Sequence, residues 1–318
     1  MNEMQEAALL LSSLSIYRGI LKRTVPRAFY KLLCCYDKPP MEFVRAWGDF
    51  YSLLCNHGYG ENWAGCMTET ALYDENAFSK AAAAGKGEEL PDGVRYAAKR
   101  DIDTILNVSS LTPETLLAAY AHNDGLGNVA QALPRWATGR AIAQMQGNAE
   151  ECFDKMALYY RGHGCGMYAR YRAFVWRDGG IQPVVYPDPI RLAELKGYEL
   201  PRGLVIDNTL AFMEGLTCNN CLLYGDRGTG KSSTVKAILN EFYPRGLRMV
   251  EMPKESLLEF PKLVEQIAGV PLRFVIFIDD LSFSRQDDTF AALKAVLEGG
   301  LSARPENALI YATSNRRH

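Results

Sequence analysis

No one sign of charge dominates this chain: 35 Lys and Arg stand against 37 Asp and Glu, a net charge of -2. A chain-wide attraction to nucleic acid is thereby excluded, though a local patch is not. Long hydrophobic runs are also missing. The most apolar stretch near the start, residues 7–16, is interrupted by three serines, whereas a bilayer span needs about 18 or more apolar residues. Glu3 and Glu6 stand where an export signal would carry positive charge. Neither a membrane span nor an export signal is expected, and the expected compartment is the cytoplasm. Cysteine is modest, at eight residues. Cytosolic thiols stay reduced, so no disulfide framework is expected. No internal repeat is visible.

Several suggestive groupings lack the context that would give them chemistry. Cys218-Asn-Asn-Cys221 has no second pair at zinc spacing, and a strand rather than a helix begins at Cys221. Gly162-His-Gly-Cys-Gly166 has the glycines of a dinucleotide loop but no helix after it. His57, His122 and His163 show no ligand spacing and are expected to be structural. Cys34 and Cys35, beside Leu32 and Leu33, are expected to be core thiols. Arg18, Lys22, Arg23, Arg27, Lys31 and Lys38 share their stretch with a single acid, Asp37. A solvated helix face is the expected reading; a surface for nucleic acid or acidic protein is the alternative.

What is present is ordinary globular material: 48% hydrophobic and 23% charged residues, which excludes disordered and fibrous classes. A length of 318 residues suggests two domains or three, at roughly 100–200 residues each. Residues 1–160 are expected to form a mostly helical module. Leu10, Leu14, Tyr17 and Leu21 are spaced for one helical face, as are Phe43, Trp47, Phe50 and Leu54. Lys38-Pro39-Pro40 is a stop between them. Thr112-Pro113 is a helix start, with Thr112 as cap and Pro113 at the first helical position. Residues 84–92 are expected to be an exposed loop. Residues 161–190 are expected to hold a β-hairpin and a linker: the aromatic stretch 168–176 and the apolar stretch 181–186 flank Asp178-Gly179-Gly180, and Pro187-Asp188-Pro189 follows.

Residues 191–318 carry the chemistry. Cys221-Leu-Leu-Tyr224 suits a short buried strand. Directly after it comes Gly225-Asp226-Arg227-Gly228-Thr229-Gly230-Lys231-Ser232, followed by Ser233. This matches G-x-x-x-x-G-K-[ST], and a helix with Val235, Ile238, Leu239 and Phe242 on one face follows. Glycines let backbone N–H groups wrap a phosphate, and the helix start adds its positive end. Lys231 can reach β- and γ-phosphates, and the Ser232 hydroxyl can ligate magnesium. At average composition a chain this long yields roughly 0.01 chance matches. The unbroken run 274–278 predicts a parallel strand buried on both faces, ending in Asp279-Asp280. Carboxylates at a strand's C-terminal end stand where open α/β sheets bind ligands. Asp279 can hold magnesium through water, and Asp280 can orient or deprotonate an attacking water. A further buried strand, 308–312, ends in Thr313-Ser314-Asn315. The Asn315 amide can hydrogen-bond both a γ-phosphate and that water.

Together these residues resemble an AAA+ P-loop ATPase module. Residues 225–232 are similar to Walker A and 274–280 to Walker B, and Asn315 matches sensor 1. Leu195-Lys-Gly197-Tyr198 is similar to the segment that packs near adenine. More narrowly, the chain resembles an uncharacterised bacterial family of ATP-binding proteins carrying a domain of unknown function. The residues that carry this are Tyr168-Ala-Arg-Tyr-Arg-Ala-Phe, 225–233, Phe277-Ile-Asp-Asp-Leu-Ser-Phe283 and Tyr311-Ala-Thr-Ser-Asn-Arg-Arg-His318. The resemblance implies a doubly wound α/β fold with flanking helices, binding ATP and Mg2+. The strand at 308–312 would lie between those at 221–224 and 274–278. Asp280, Asn315 and Lys231 would act in catalysis, Ser232 and Asp279 would hold the metal, and residues 225–233 with Tyr198 would hold the nucleotide. An unknown protein partner would be worked on through residues 1–160, and a ring-shaped homo-oligomer is compatible with the resemblance.

The chain departs from this pattern twice. AAA+ proteins usually place Glu after the magnesium Asp, where this chain has the shorter Asp280. No fifth strand or helical lid follows residue 318, so the resemblance implies a C-terminally truncated module. Such a module is expected to turn over poorly and to leave 221–224 as an unpaired edge. Arg316 and Arg317 are candidates to serve a neighbouring subunit. The expected function is an ATPase coupling hydrolysis to remodelling of a partner. The alternative is a nucleotide-dependent switch or loader with negligible turnover. A P-loop kinase is less favoured, because no acceptor-binding base is seen.

Overall fold

The computed structural model describes residues 1–281 and 306–315. The chain divides into two compact units, Met1–Arg161 and Gly162–His318. Arg316 and Arg317, and Ser282 and Phe283 of the acidic-strand motif, lie outside the described residues. No helix among the described residues is long and apolar enough to cross a membrane.

The first unit is built from helices: α1 (Glu3–Ser12), α2 (Thr24–Leu33), α3 (Pro40–Leu54), α4 (Trp63–Leu72), α5 (Ala77–Ala83), α6 (Asp92–Ser109), α7 (Pro113–Ala119), α8 (Val129–Ala132) and α9 (Ala149–His163). Pro40 opens α3 at its first turn, where a missing N–H costs nothing. Phe43, Trp47, Phe50 and Leu54 are all buried, as their spacing predicts. The Thr112 hydroxyl caps α7, accepting from the Thr115 N–H at 3.0 Å. Indoles dominate this core. Trp63 packs on Phe29 at 4.1 Å and Trp47 on Trp136 at 4.8 Å between ring centroids. Each indole N–H finds a carbonyl: Trp47 on Pro134, Trp63 on Val108, and Trp136 on Leu111. A buried indole otherwise loses its one donor.

The first expected helical face is corrected. Leu10, Leu14, Tyr17 and Leu21 do not share a helix, because α1 ends at Ser12 and buries Met4, Ala7 and Leu11 instead. The backbone N–H groups of Ser15 and Tyr17 donate to the buried Asp101 carboxylate, at 2.9 and 3.0 Å. That charge satisfies amides a helix would have bonded to its own carbonyls. Cys34 and Cys35 are only half-buried, so they are not core thiols in the full sense.

Among the described residues the second unit is a six-stranded sheet between helices. Its elements are α10 (Gly166–Arg170), β1 (Ala173–Arg177), β2 (Gly180–Pro183), α11 (Glu199–Met213), β3 (Cys221–Tyr224), α12 (Lys231–Phe242), β4 (Leu247–Glu251), α13 (Phe260–Ala268), β5 (Arg273–Ile278) and β6 (Ala308–Ser314). The strand order is β2-β1-β4-β5-β6-β3. Among the described residues only the β1–β2 hairpin is antiparallel; the other pairings are parallel. β6 lies between β3 and β5, the order that the resemblance implied. Along β5 the side chains alternate: Phe274, Ile276 and Ile278 pack towards Leu263 and Ile267 of α13. Val275 and Phe277 pack towards α11 and α12 with Val235, Ile238 and Phe242. A strand apolar at every position therefore feeds two cores.

Three expectations change here. Residues 166–170 form a helix, so the strand begins at Ala173 and not at Tyr168. Tyr168 looked strand-like because its ring packs against Phe174 and Phe274, at 5.1 and 5.5 Å between centroids. The hairpin, expected ahead of the α/β domain at 191–318, joins that sheet: β1 pairs with β4 and β2 forms an outer edge. β3 is the other edge among the described residues. Its Leu222 and Tyr224 are exposed, so it is not the fully buried strand its composition suggests.

Arg248 on β4 is fully buried. Its guanidinium donates to the carbonyls of Tyr168 (2.6 Å), Leu247 (2.8 Å), His163 (3.0 Å) and Tyr243 (3.3 Å). Arg248 thus ties the strand to the segment that leads into β1 and to the turn that leads into β4 itself. Arg248→Met keeps the apolar stem but removes every donor. Leaving several buried carbonyls unpaired should destabilise the unit by about 3 kcal/mol, measured as a lowered urea midpoint.

Candidate functional site

The glycine-rich loop bridges β3 to α12. Gly225, Gly228 and Gly230 all have positive φ, at 146°, 79° and 80°. A Cβ at any of them would meet nothing within 4 Å. What glycine supplies here is conformation rather than room. The loop is held at both ends. The Gly225 N–H donates to Ser314 O of β6 at 3.2 Å. At the other end Thr234 bonds Gly230 O through both its N–H (2.8 Å) and its hydroxyl (2.9 Å). The loop also folds around its own lysine: Lys231 Nζ donates to Gly225 O (3.0 Å), Asp226 O (2.7 Å) and Thr229 Oγ1 (3.4 Å). No side chain caps α12, which Gly230 precedes. The free amides of its first turn are therefore available to an anion.

The ends of β5 and β6 meet this loop. The register pairs Ile278 with Ala312, so the next residues, Asp279 and Thr313, fall beside each other. Asp279 Oδ1 accepts from Ser232 Oγ at 2.6 Å, Thr313 Oγ1 at 2.5 Å and the Asp280 N–H at 3.1 Å. Thr313 Oγ1 also accepts from the Asp280 N–H at 2.9 Å. That commits its own proton to Asp279. Asp280 adopts a left-handed conformation, φ 52°, which Asp tolerates better than most residues. Its Oδ1 accepts from Asn315 Nδ2 at 2.6 Å.

These groups enclose a cavity of about 390 Å3, lined by residues 227–233 together with Asp279, Asp280, Thr313 and Asn315. Two cations, Arg227 and Lys231, share it with two carboxylates, so one site offers contacts to both an anion and a cation. Every candidate from the loop, the acidic pair and Asn315 lines the cavity except Gly225 and Asp226, which contact Lys231 from behind. Tyr198 does not line it. That side chain is exposed and stands in left-handed conformation ahead of α11. Residues 169–318 match the model of a family described as "Protein of unknown function (DUF815)". No curated protein matches the chain.

Thr313 is the site residue that sequence reasoning passed over. Its only signal was that it follows a buried run; that it stands beside Asp279 needed the register of β5 and β6. The Cys218-x-x-Cys221 pair stays apart from this site. Burial pushes the Cys221 thiol up from its ordinary pKa, against thiolate chemistry. Among the described residues no three His, Cys, Asp or Glu side chains cluster as an all-protein metal site. A cation here needs oxygens from elsewhere.

Thr313→Val removes a buried hydroxyl and leaves the Asp280 N–H with only its longer bond to Asp279. It should destabilise the second unit by about 1–2 kcal/mol, while Thr313→Ser should stay near the parent. Chemical denaturation of both variants checks this.

Proposed function

We propose that the second unit binds Mg-ATP at residues 225–232 and hydrolyses it, as an AAA+-like P-loop ATPase. The observation that supports this best is convergence. A positive-φ glycine loop, a lysine, a hydroxyl–carboxylate pair and an amide from a third element all line one cavity. Triphosphate hydrolysis asks for positioning and charge neutralisation, with little covalent chemistry from the protein.

The donor set fits magnesium. Ser232 and Asp279 are hard oxygen ligands already side by side, and an ion with few protein ligands completes its shell from water and phosphate. Mg2+ there would offset charge on the β- and γ-phosphates. The chain's own residues do the rest. Lys231 exchanges the carbonyls of Gly225 and Asp226 for phosphate oxygens, which return a full charge for two dipoles. Asp279, whose Oδ1 accepts from three donors, would hold the ion through water. Asp280 accepts the proton of the attacking water, and Asn315 holds the Asp280 carboxylate in place until a γ-phosphate competes for the amide. The product would drive work on a protein partner through residues 1–160.

A specific observation favours a second reading, a switch that binds ATP with negligible turnover. The Asp280 carboxylate is already engaged by Asn315 at 2.6 Å, and it is one methylene shorter than the usual Glu. Steady-state phosphate release separates the two readings.

Lys231→Ala should weaken ATP binding about 100-fold, the equivalent of ~3 kcal/mol for a charged hydrogen-bond donor. Calorimetric titration checks it, and unchanged affinity would remove the phosphate-loop assignment. Asp280→Asn should keep ATP within a few-fold but slow phosphate release by about 100-fold or more, since an amide cannot take the proton. Equal loss of binding in Asp279→Ala and Asp280→Asn would make Asp280 a ligand and place the base elsewhere.

A further inference from the structure

The first unit holds a second concave site that the proposed ATPase does not use. A groove of about 520 Å3 runs between α2 and α3. Lys22, Arg27 and Lys31 line it, with Thr24 and Ser52 adding hydroxyls and Asp49 the only acid. Arg27 and Lys31 are one helical turn apart on α2, a like-charge spacing that disfavours the helix. Among the described residues none of the three cations has an ion-pair partner within 4.0 Å. Lys22 also lies in the field of the buried Asp74. The sequence alone favours a solvated face for these residues; all three cations are exposed, and they stand around one hollow between α2 and α3.

We propose that this groove binds the phosphate backbone of a nucleic-acid duplex, independently of sequence. Its floor is Ala28, Ala46 and the half-buried Leu53. It offers no pocket for the large apolar anchors that carry protein–protein affinity. It also lacks an aromatic side chain on which an unpaired base could stack, as single-strand sites use. What remains is three cations and two hydroxyls, the donor set that neutralises phosphates without reading bases. The small side chains at Ala28 and Ala46 leave the space that a backbone strand would fill.

The test uses the full chain and a short fluorescein-labelled DNA duplex of arbitrary sequence, titrated by anisotropy. If three phosphates are neutralised, log K should fall with log salt with a slope of about -2.7, roughly a 40-fold loss between about 50 and 200 mM. K22A/R27A/K31A should abolish most of that slope. Asp49→Asn removes the one repulsive group and should tighten binding severalfold, a gain that misfolding cannot imitate. Lys231→Ala should bind the duplex like the parent, which separates this groove from the phosphate loop. The proposal is overturned by no binding at the lower salt, or by an unchanged slope in a triple variant whose circular dichroism matches the parent. It is also overturned by loss of duplex binding in Lys231→Ala, or by poly-glutamate displacing the duplex at equal charge, which would assign the groove to an acidic protein.

Discussion

One carboxylate oxygen holds the candidate site together. Asp279 Oδ1 receives a hydroxyl from α12, a hydroxyl from β6 and an amide from its own strand end. Each donor comes from a different part of the chain, so the oxygen fixes three elements relative to one another. This works only because the parallel pairing of β5 with β6 places Thr313 beside Asp279. The pairing in turn depends on strands apolar at every position, with a helix layer on each face. Sheet register, loop closure and the direction in which Asp280 leaves its strand are therefore one constraint seen at three places.

That arrangement explains why the loop can be both strained and stable. Three glycines at positive φ lose more backbone entropy on ordering than other residues would. The cost is offset locally by the Gly225 and Thr234 backbone bonds and by the lysine the loop encircles. The ammonium of Lys231 thus supports the loop through the same donors that the proposed phosphate would take. Binding would replace these contacts rather than add to a rigid empty cradle.

Much of this was legible from residue order because its physics is local. A glycine spacing, an unbroken apolar run with two acids at its end, and a proline at a helix start each act over a few residues. They placed β3, β5, β6, α3 and α12 correctly, and also the cap of α7. What stayed hidden was set by partners distant in sequence. Asp101 ends the helix at Ser12 by taking amides 84 and 86 positions away. Tyr168 belongs to a helix yet has the aromatic character of a strand, because its partners Phe274 and Phe174 come from two different strands. The exposed face of Leu222 and Tyr224 follows from β3 being an edge, and edge position is a property of the sheet. Thr313 needed the register of two strands before its neighbour could be named.

The basic groove shows the same limit in electrostatic form. A net charge of -2 says nothing about where unpaired cations collect, since opposite charges elsewhere cancel the sum but not the local field. Lys22, in the short turn ahead of α2, and Arg27 and Lys31 on α2 are all exposed. They gather around a hollow between α2 and α3 that Ala28 and Ala46 also line. A larger side chain at either alanine would narrow that hollow. The shape of the hollow thus rests partly on two of the smallest residues in the stretch. Charge patterning alone would not have selected either of them.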